Sequence, residues 1–246
     1  RLDEKDMSVV VMCGMSAVFS AVFGTPLTAA VFTIEVISVG QFYYSSLVPC
    51  LVSSLTAYGT SLVLGVVPER FEKIEVCDFS LPAFLKVAAL GVLCALLSMV
   101  FCIVMKRSSM AIKKLLPNVY LRILSGSAAI ILLTIVCGSQ KYNGTGMNLV
   151  EAAVLNGKAQ PWDFALKLVF TAISLGVGFR GGEIVPAFAV GATFGCVMGG
   201  LMGLAPEFGA AVGLIATFCG VVNCPVASIL LSVELFSSEG LLFFAL

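Results

Sequence analysis

The chain has no histidine, a single tryptophan, and charge on only 11% of its residues. Without histidine there is no Ser-His or Cys-His catalytic pair and no imidazole-ligated metal. The nine cysteines are scattered, mostly inside apolar runs, with none of the paired spacing of a metal site or disulfide framework. They read as small buried hydrophobes, and no metal or cofactor is expected. Fourteen cations balance fourteen anions, so no basic surface points to nucleic acid. Soluble domains carry about 25% charged residues, and so little charge argues against a water-soluble fold. No hydrolase motif stands out. A serine–lysine pair is the one enzymatic arrangement the composition leaves open, and the chain is expected not to be an enzyme.

Apolar sequence fills the space. Hydrophobic residues make up 59% of the chain and mean hydropathy is +1.08. The expected fold is all-α: a polytopic transmembrane helical protein in one domain, 1–246. A bilayer-spanning helix needs about 20 apolar residues. Candidate segments are 7–23, 26–38, 43–66, 82–105, 120–138, 162–177, 186–204, 207–221, 225–236 and 239–246. Several are too short to cross alone. Only Gly24-Thr25-Pro26 separates the first two, and only Val222-Asn223-Cys224 separates 207–221 from 225–236. Broken helices at membrane depth are tolerated where they are buried in protein or line a polar cavity, and they commonly surround a transporter's site. Arg1 to Asp6 opens the chain without an initiator Met, and Leu246 closes it inside an apolar run. Both ends are expected to be cuts in a longer protein.

Loop charge predicts an orientation. Residues 106–122 carry Lys106, Arg107, Lys113, Lys114 and Arg122 with no acid. Residues 67–80 carry Glu69, Glu72, Glu75 and Asp78 against Arg70 and Lys73. The positive-inside rule makes 106–122 a cytoplasmic loop and 67–80 external. Two crossings then put Glu35 toward the cytoplasmic side. The turn-like loop 139–161, with Asn143-Gly144-Thr145-Gly146, is external after one more crossing.

The chain also repeats itself. Residues 14–35 align without a gap on 213–234. Gly14 falls on Gly213, Ala17 on Ala216, Phe19 on Phe218, Val22 on Val221, Pro26 on Pro225 and Glu35 on Glu234. Each copy reads as apolar helix, polar break, proline, apolar helix, glutamate. Repeated halves with broken helices are a transporter architecture. A carboxylate at a helix C-terminus is electrostatically unfavourable, so Glu35 and Glu234 each need a partner. A structural role, capping neighbouring backbone, is favoured for both over proton transfer.

Residues 176–191 are the most informative stretch. Glycines, Arg180 and Glu183 interrupt apolar sequence, and Pro186 opens a new run. Proline fits the first turn of a helix. The N–H groups around Glu183, Ile184 and Val185 then project from a helix N-terminus, which carries unpaired donors and about half a positive charge. That is an anion site built without a full cationic side chain. An ionised Glu183 beside it would repel the anion and a protonated one would not, so proton and anion occupancy would be linked. The alternative is a Glu183 side chain turned away onto Arg180 or the neighbouring loop. Arg180 either adds positive field at the mouth or pairs with Glu183. Lys167, on an apolar helix, either snorkels or contributes to the pathway, and snorkelling is favoured.

With these motifs in place, a resemblance emerges. Segment 14–35, segment 218–234 and Gly181-Gly182-Glu183-Ile184-Val185-Pro186 resemble, in order, the paired helices and the Gly-x-Phe-x-Pro anion loop of the CLC family of chloride channels and anion/proton antiporters. The resemblance covers nearly the whole chain. It implies an inverted repeat with broken and re-entrant helices. It implies a homodimer with one anion pathway per subunit, with 26–36, 43–66, 225–236 and 239–246 at or near the dimer contact. It also implies that the amides of Glu183 and Ile184 hold the central anion. The family's Gly-Ser-Gly-x-Pro loop and gating-glutamate loop would lie before Arg1, and its coordinating tyrosine beyond Leu246. The implied function is transport of an anion, chloride by default and possibly with protons, in a bacterial plasma membrane. Two departures matter. Val36 stands where the family's chloride/proton exchangers carry a proton-passing glutamate, as in its passive channels. Glu183 resembles the fluoride/proton exchanging branch, whose loop reads Gly-Glu-Val-Thr-Pro, although Val185 replaces the threonine. That branch makes fluoride the rival ion, with Glu183 as the coupling carboxylate.

Overall fold

A computed structural model describes residues 4–37, 44–66, 71, 80–236 and 240–246. The acidic stretch 67–80 lies outside the described residues except for Phe71 and Ser80. The described elements are helical throughout: α1 (Glu4–Phe23), α2 (Pro26–Ile37), a 3₁₀ turn (Tyr44–Ser46), α3 (Leu47–Val63), α4 (Leu81–Leu115), α5 (Val119–Cys137), α6 (Met147–Asn156), α7 (Asp163–Gly176), α8 (Ile184–Leu201), α9 (Pro206–Val222), α10 (Pro225–Phe236) and α11 (Leu241–Phe244). Five of them are long and apolar enough to cross a membrane: α1, α3 with its preceding turn, α4, α5 and α8. The chain is an integral membrane protein with a helical fold.

The helices fall into two compact units. In the first, α1 packs on α2 and α3, and α2 on α10. Polar side chains join α1 to α3. Ser16 Oγ donates to Cys50 O and Ser20 Oγ to Ser54 O, while Ser53 Oγ donates to Cys13 O, each at 2.9 Å. Helix–helix contacts in lipid rely on such bonds because burial from lipid supplies no hydrophobic drive. Met12, Ala30 and Cys50 form a small core beneath them.

In the second unit α8 is the central element, buried from Pro186 through Thr193. It packs against α4, α6 and α7. Leu97, Phe101 and Met105 of α4 meet Leu168 and Ala172 of α7 and Ala187 and Val190 of α8. Against α9 the contact is backbone on backbone. A Cβ on Gly195 would overlap the Gly209 carbonyl oxygen, and one on Gly213 would overlap that of Gly191. Small residues permit this approach.

The structure corrects two expectations. The basic stretch 106–122 is not a loop: α4 continues through Lys106, Arg107, Lys113 and Lys114 to Leu115, and α5 begins at Val119. Lys, Arg, Ala, Met and Leu are good helix formers, and no proline intervenes before Pro117. Likewise 139–161 is not all turn, since it contains α6. Leu149, Val150, Ala153 and Val154 form its buried face, one helical turn apart, between left-handed Gly146 and Gly157. Cys50, Cys94, Cys196 and Cys224 are buried as expected of small hydrophobes, whereas Cys102 is exposed.

The two aligned segments share local geometry. α2 and α10 have the same length and matching ends under the sequence alignment. Before each lies a left-handed residue, Gly24 with φ 68° and Asn223 with φ 59°. Glycine reaches that conformation freely and asparagine more readily than other side chains. In both copies the turn is followed by a proline at the first helical position.

Candidate anion site

Helix α7 ends at Gly176, and the chain turns through Gly178 at φ 104°. Arg122, from the basic stretch, donates from Nε to the Val177 carbonyl at 3.0 Å. A cation there suits the negative end of α7 and fixes where the next loop starts. Residues 179–183 are exposed, and Glu183 is the N-cap of α8.

The start of α8 is chemically open. Pro186 has no N–H, and Ala187 makes the first intrahelical bond, to Glu183 O at 3.0 Å. Among the described residues the N–H groups of Glu183, Ile184 and Val185 have no acceptor, and the Glu183 side chain makes no cap bond. Glu183 and Arg180 are exposed and make no ion pair with one another; the Lys141–Asp163 bridge is the one ion pair among the described residues. The proposed turning of Glu183 onto Arg180 is therefore absent here. Gly181, Gly182, Val185 and Pro186 line a cavity of ≈ 330 Å³ together with Arg180, Lys167 and Tyr142.

Lys167 corrects a third expectation, because it does not snorkel. It is 1% exposed, and Nζ donates to the carbonyls of Tyr142 at 3.1 Å and Gly144 at 2.8 Å. Left-handed Gly146 makes room for it, since a Cβ there would overlap Lys167 Cε. One turn earlier, the Asp163 carboxylate accepts from Lys141 Nζ at 2.8 Å, Tyr142 Oη at 2.6 Å and Gln160 N at 2.9 Å. Burial, then the bond to Asp163, pushes the Tyr142 phenol above its usual range, so it remains a proton donor. Two opposite charges on α7 thus clamp the loop 138–146, whose Tyr142, Gly144 and Thr145 also line the cavity. Sequence reading missed Asp163, Tyr142 and Lys141. The available signal was Asp163 and Lys167 four residues apart on an otherwise apolar helix.

Glu35 and Glu234 are elsewhere, in the first unit, and are engaged differently. The Glu35 carboxylate accepts from Val226 N at 3.1 Å and Ala227 N at 2.8 Å, in the first turn of α10. Glu234 accepts from Leu27 N at 3.1 Å and Thr28 N at 2.8 Å, in the first turn of α2. Each helix neutralises the other's free donors. Capping is thus the observed role of both. Val36 lies beside Glu35 on α2 and is half-buried.

The comparisons with known proteins agree with this picture. The family model for voltage gated chloride channels matches residues 1–246. A "Chloride/fluoride channel protein" of Pseudomonas syringae pv. tomato is 35% identical over 245 residues, covering 97% of this chain and 54% of that protein. An uncharacterized protein of Methanocaldococcus jannaschii is 21% identical over 241 residues, covering 96% of this chain and 60% of that one. A crystal structure of a CLC-type fluoride/proton antiporter superposes with a TM-score of 0.92 at 33% identity, covering 96% of this chain and 60% of that one. The chain thus spans between half and two thirds of the length of these relatives. With every residue inside the family match and the same helical fold, the chain belongs to the voltage-gated chloride channel (CLC) family.

Proposed function

We propose that the protein to which this chain belongs moves a halide across a membrane, with the anion held by the backbone amides of Glu183, Ile184 and Val185 at the start of α8. The observation that carries this reading is the open helix start. Its donors have no acceptor among the described residues, no side chain caps it, and Val185 and Pro186, though not Glu183 or Ile184, line the neighbouring cavity. Gly181, Gly182 and Pro186 shape the turn that exposes those amides. Lys167 and Arg180 bring positive charge to the same cavity, and the Lys167 carbonyl bonds keep its cation in place.

Glu183 is the coupling carboxylate in this reading. Two unit charges about 4 Å apart repel by about 4 kcal/mol at an effective dielectric of 20. An ionised Glu183 that close to the bound halide therefore expels it, and a protonated one admits it. With no hydrogen bond or ion pair among the described residues, the carboxylate is available for that exchange. Glu183 and the likeness to a fluoride/proton antiporter favour fluoride moved against protons. A passive chloride channel is the second reading, favoured by Val36 in place of a second proton-passing glutamate.

The remaining elements complete the proposal. The chain is part of a single transmembrane domain with an inverted repeat, and the reciprocal Glu35–Glu234 capping supports the repeat. The protein is a homodimer in a bacterial plasma membrane, with the basic 106–122 segment cytoplasmic and no enzymatic activity. Flux from liposomes holding the full-length parent, followed with fluoride, chloride and pH electrodes together, tests the reading. Fluoride release with opposing proton movement supports the exchanger. Chloride release with no proton movement supports the channel, and release of neither ion overturns anion transport.

A further inference from the structure

The C-terminal third of α4 has no role in the anion reading. α4 has 35 residues, about 52 Å at 1.5 Å per residue, against a hydrocarbon core of about 30 Å. From Leu81 to Met105 its only charge is Lys86. Lys106, Arg107, Lys113 and Lys114 then follow, all exposed and none with an ion-pair or hydrogen-bond partner among the described residues. At 100° per residue the four lie within an arc of about 120°. Met110, 54% exposed, sits in the middle of that arc. Across the short turn, Tyr120 is 85% exposed, as expected of an aromatic at the headgroup level. Arg122 is excluded from the cluster because Val177 holds it.

We infer that this basic helical face binds the phosphate headgroups of acidic phospholipids in the adjoining leaflet. Charge complementarity and position argue for that occupant. The cations begin where the apolar run ends, on a helix long enough to carry them into the headgroup layer. Each Lys or Arg near an anionic surface adds about 1 kcal/mol of attraction. Met110 seats against acyl chains while its neighbours reach outward. A free anion passing through has no comparable reason to stop here, since the face is convex and fully open.

The inference does not depend on anion transport and is tested without it. The full-length parent is placed in phosphatidylcholine vesicles with a trace of spin-labelled phosphatidylglycerol or phosphatidylcholine. The protein-restricted fraction of each label is then measured. Preference for the glycerol lipid is expected to be at least about threefold at about 10 mM salt and to collapse toward unity at about 1 M. Lys113→Gln with Lys114→Gln, which leaves Lys106 and Arg107 to hold the helix orientation, is expected to lose about half of the preference on a logarithmic scale. Replacing Lys106, Lys113 and Lys114 by Arg is expected to retain it. No preference in the parent, a preference that survives high salt, or an unchanged preference in the double variant each overturns the assignment.

Discussion

Helices α2 and α10 begin like α8, with a bend followed by a proline in the first turn, yet their fates are opposite. The first turns of α2 and α10 are closed by the Glu234 and Glu35 carboxylates. The first turn of α8 has its own glutamate at the N-cap and remains open. All three share the same partial positive charge. The difference lies in where the nearest carboxylate comes from. A glutamate reaching in from another helix points at the free amides and satisfies them. Glu183 is attached at the N-cap itself, in helical backbone conformation, and its side chain makes no bond to those amides. The same device is structural where a carboxylate fills it and, in the reading proposed above, available to a mobile anion where none does.

The comparison can be broken in several places. The largest effect is expected at the packing that holds α8. Gly195→Ala drives a methyl into the Gly209 carbonyl oxygen, a backbone atom with no freedom to withdraw. Overpacking of this kind costs about 1–3 kcal/mol or more. Thermal unfolding in detergent should show it as a lowered midpoint, and an unchanged midpoint would mean that α8 and α9 do not pack this closely.

Unsealing a closed helix start should come next. Glu234→Ala strips two charge-assisted bonds from Leu27 and Thr28, and Glu35→Ala does the same to Val226 and Ala227. Hydrogen bonds to charged groups contribute about 1.5–3 kcal/mol, but one of each pair is exposed to solvent and counts for little, so each variant should lose about 2 kcal/mol of stability. If the two pairs belong to one α2–α10 joint, a double-mutant cycle should show coupling of at least about 0.5 kcal/mol. Strict additivity would make them independent caps.

Disturbing the open helix start should affect binding more than fold. Pro186→Leu enlarges a buried position and gives back an N–H, altering the donor pattern. Halide affinity by calorimetry is expected to fall by roughly tenfold, or 1.4 kcal/mol, and an unchanged affinity would count against the site. The smallest effect on stability belongs to Glu183→Gln. With no hydrogen bond or ion pair lost, stability should change by less than about 0.5 kcal/mol. Anion passage should persist while coupled proton movement disappears. Proton coupling that survives in this variant would remove Glu183 from the mechanism, and a large stability loss would mean that it has a partner after all.

Much of this was readable in advance because it is local. Apolar run length sets the helices, Gly24-Thr25-Pro26 and Val222-Asn223-Cys224 set the breaks, and Pro186 sets the start of α8 to within two residues. The helical continuation through Lys106–Lys114 is not legible from charge alone, because a basic run after an apolar span reads as loop. In fact long aliphatic side chains favour helix and carry their charge outward. The α6 helix was missed because its apolar face is too short to span a bilayer and its flanks are turn-like.

The sequence by itself determined the membrane class, the helix breaks and the helix start near Pro186. Each of these follows from residue type and spacing over a few turns of chain. Only the tertiary structure decided which carboxylate meets which helix start, since Glu35 and Val226 are 191 residues apart and no local rule pairs them. It also decided that Lys167 is held by two carbonyls rather than reaching for water. That outcome depends on Gly146 leaving space beside the 138–146 loop. Burying an ammonium is costly unless its donors are met, and only the fold supplies the acceptors.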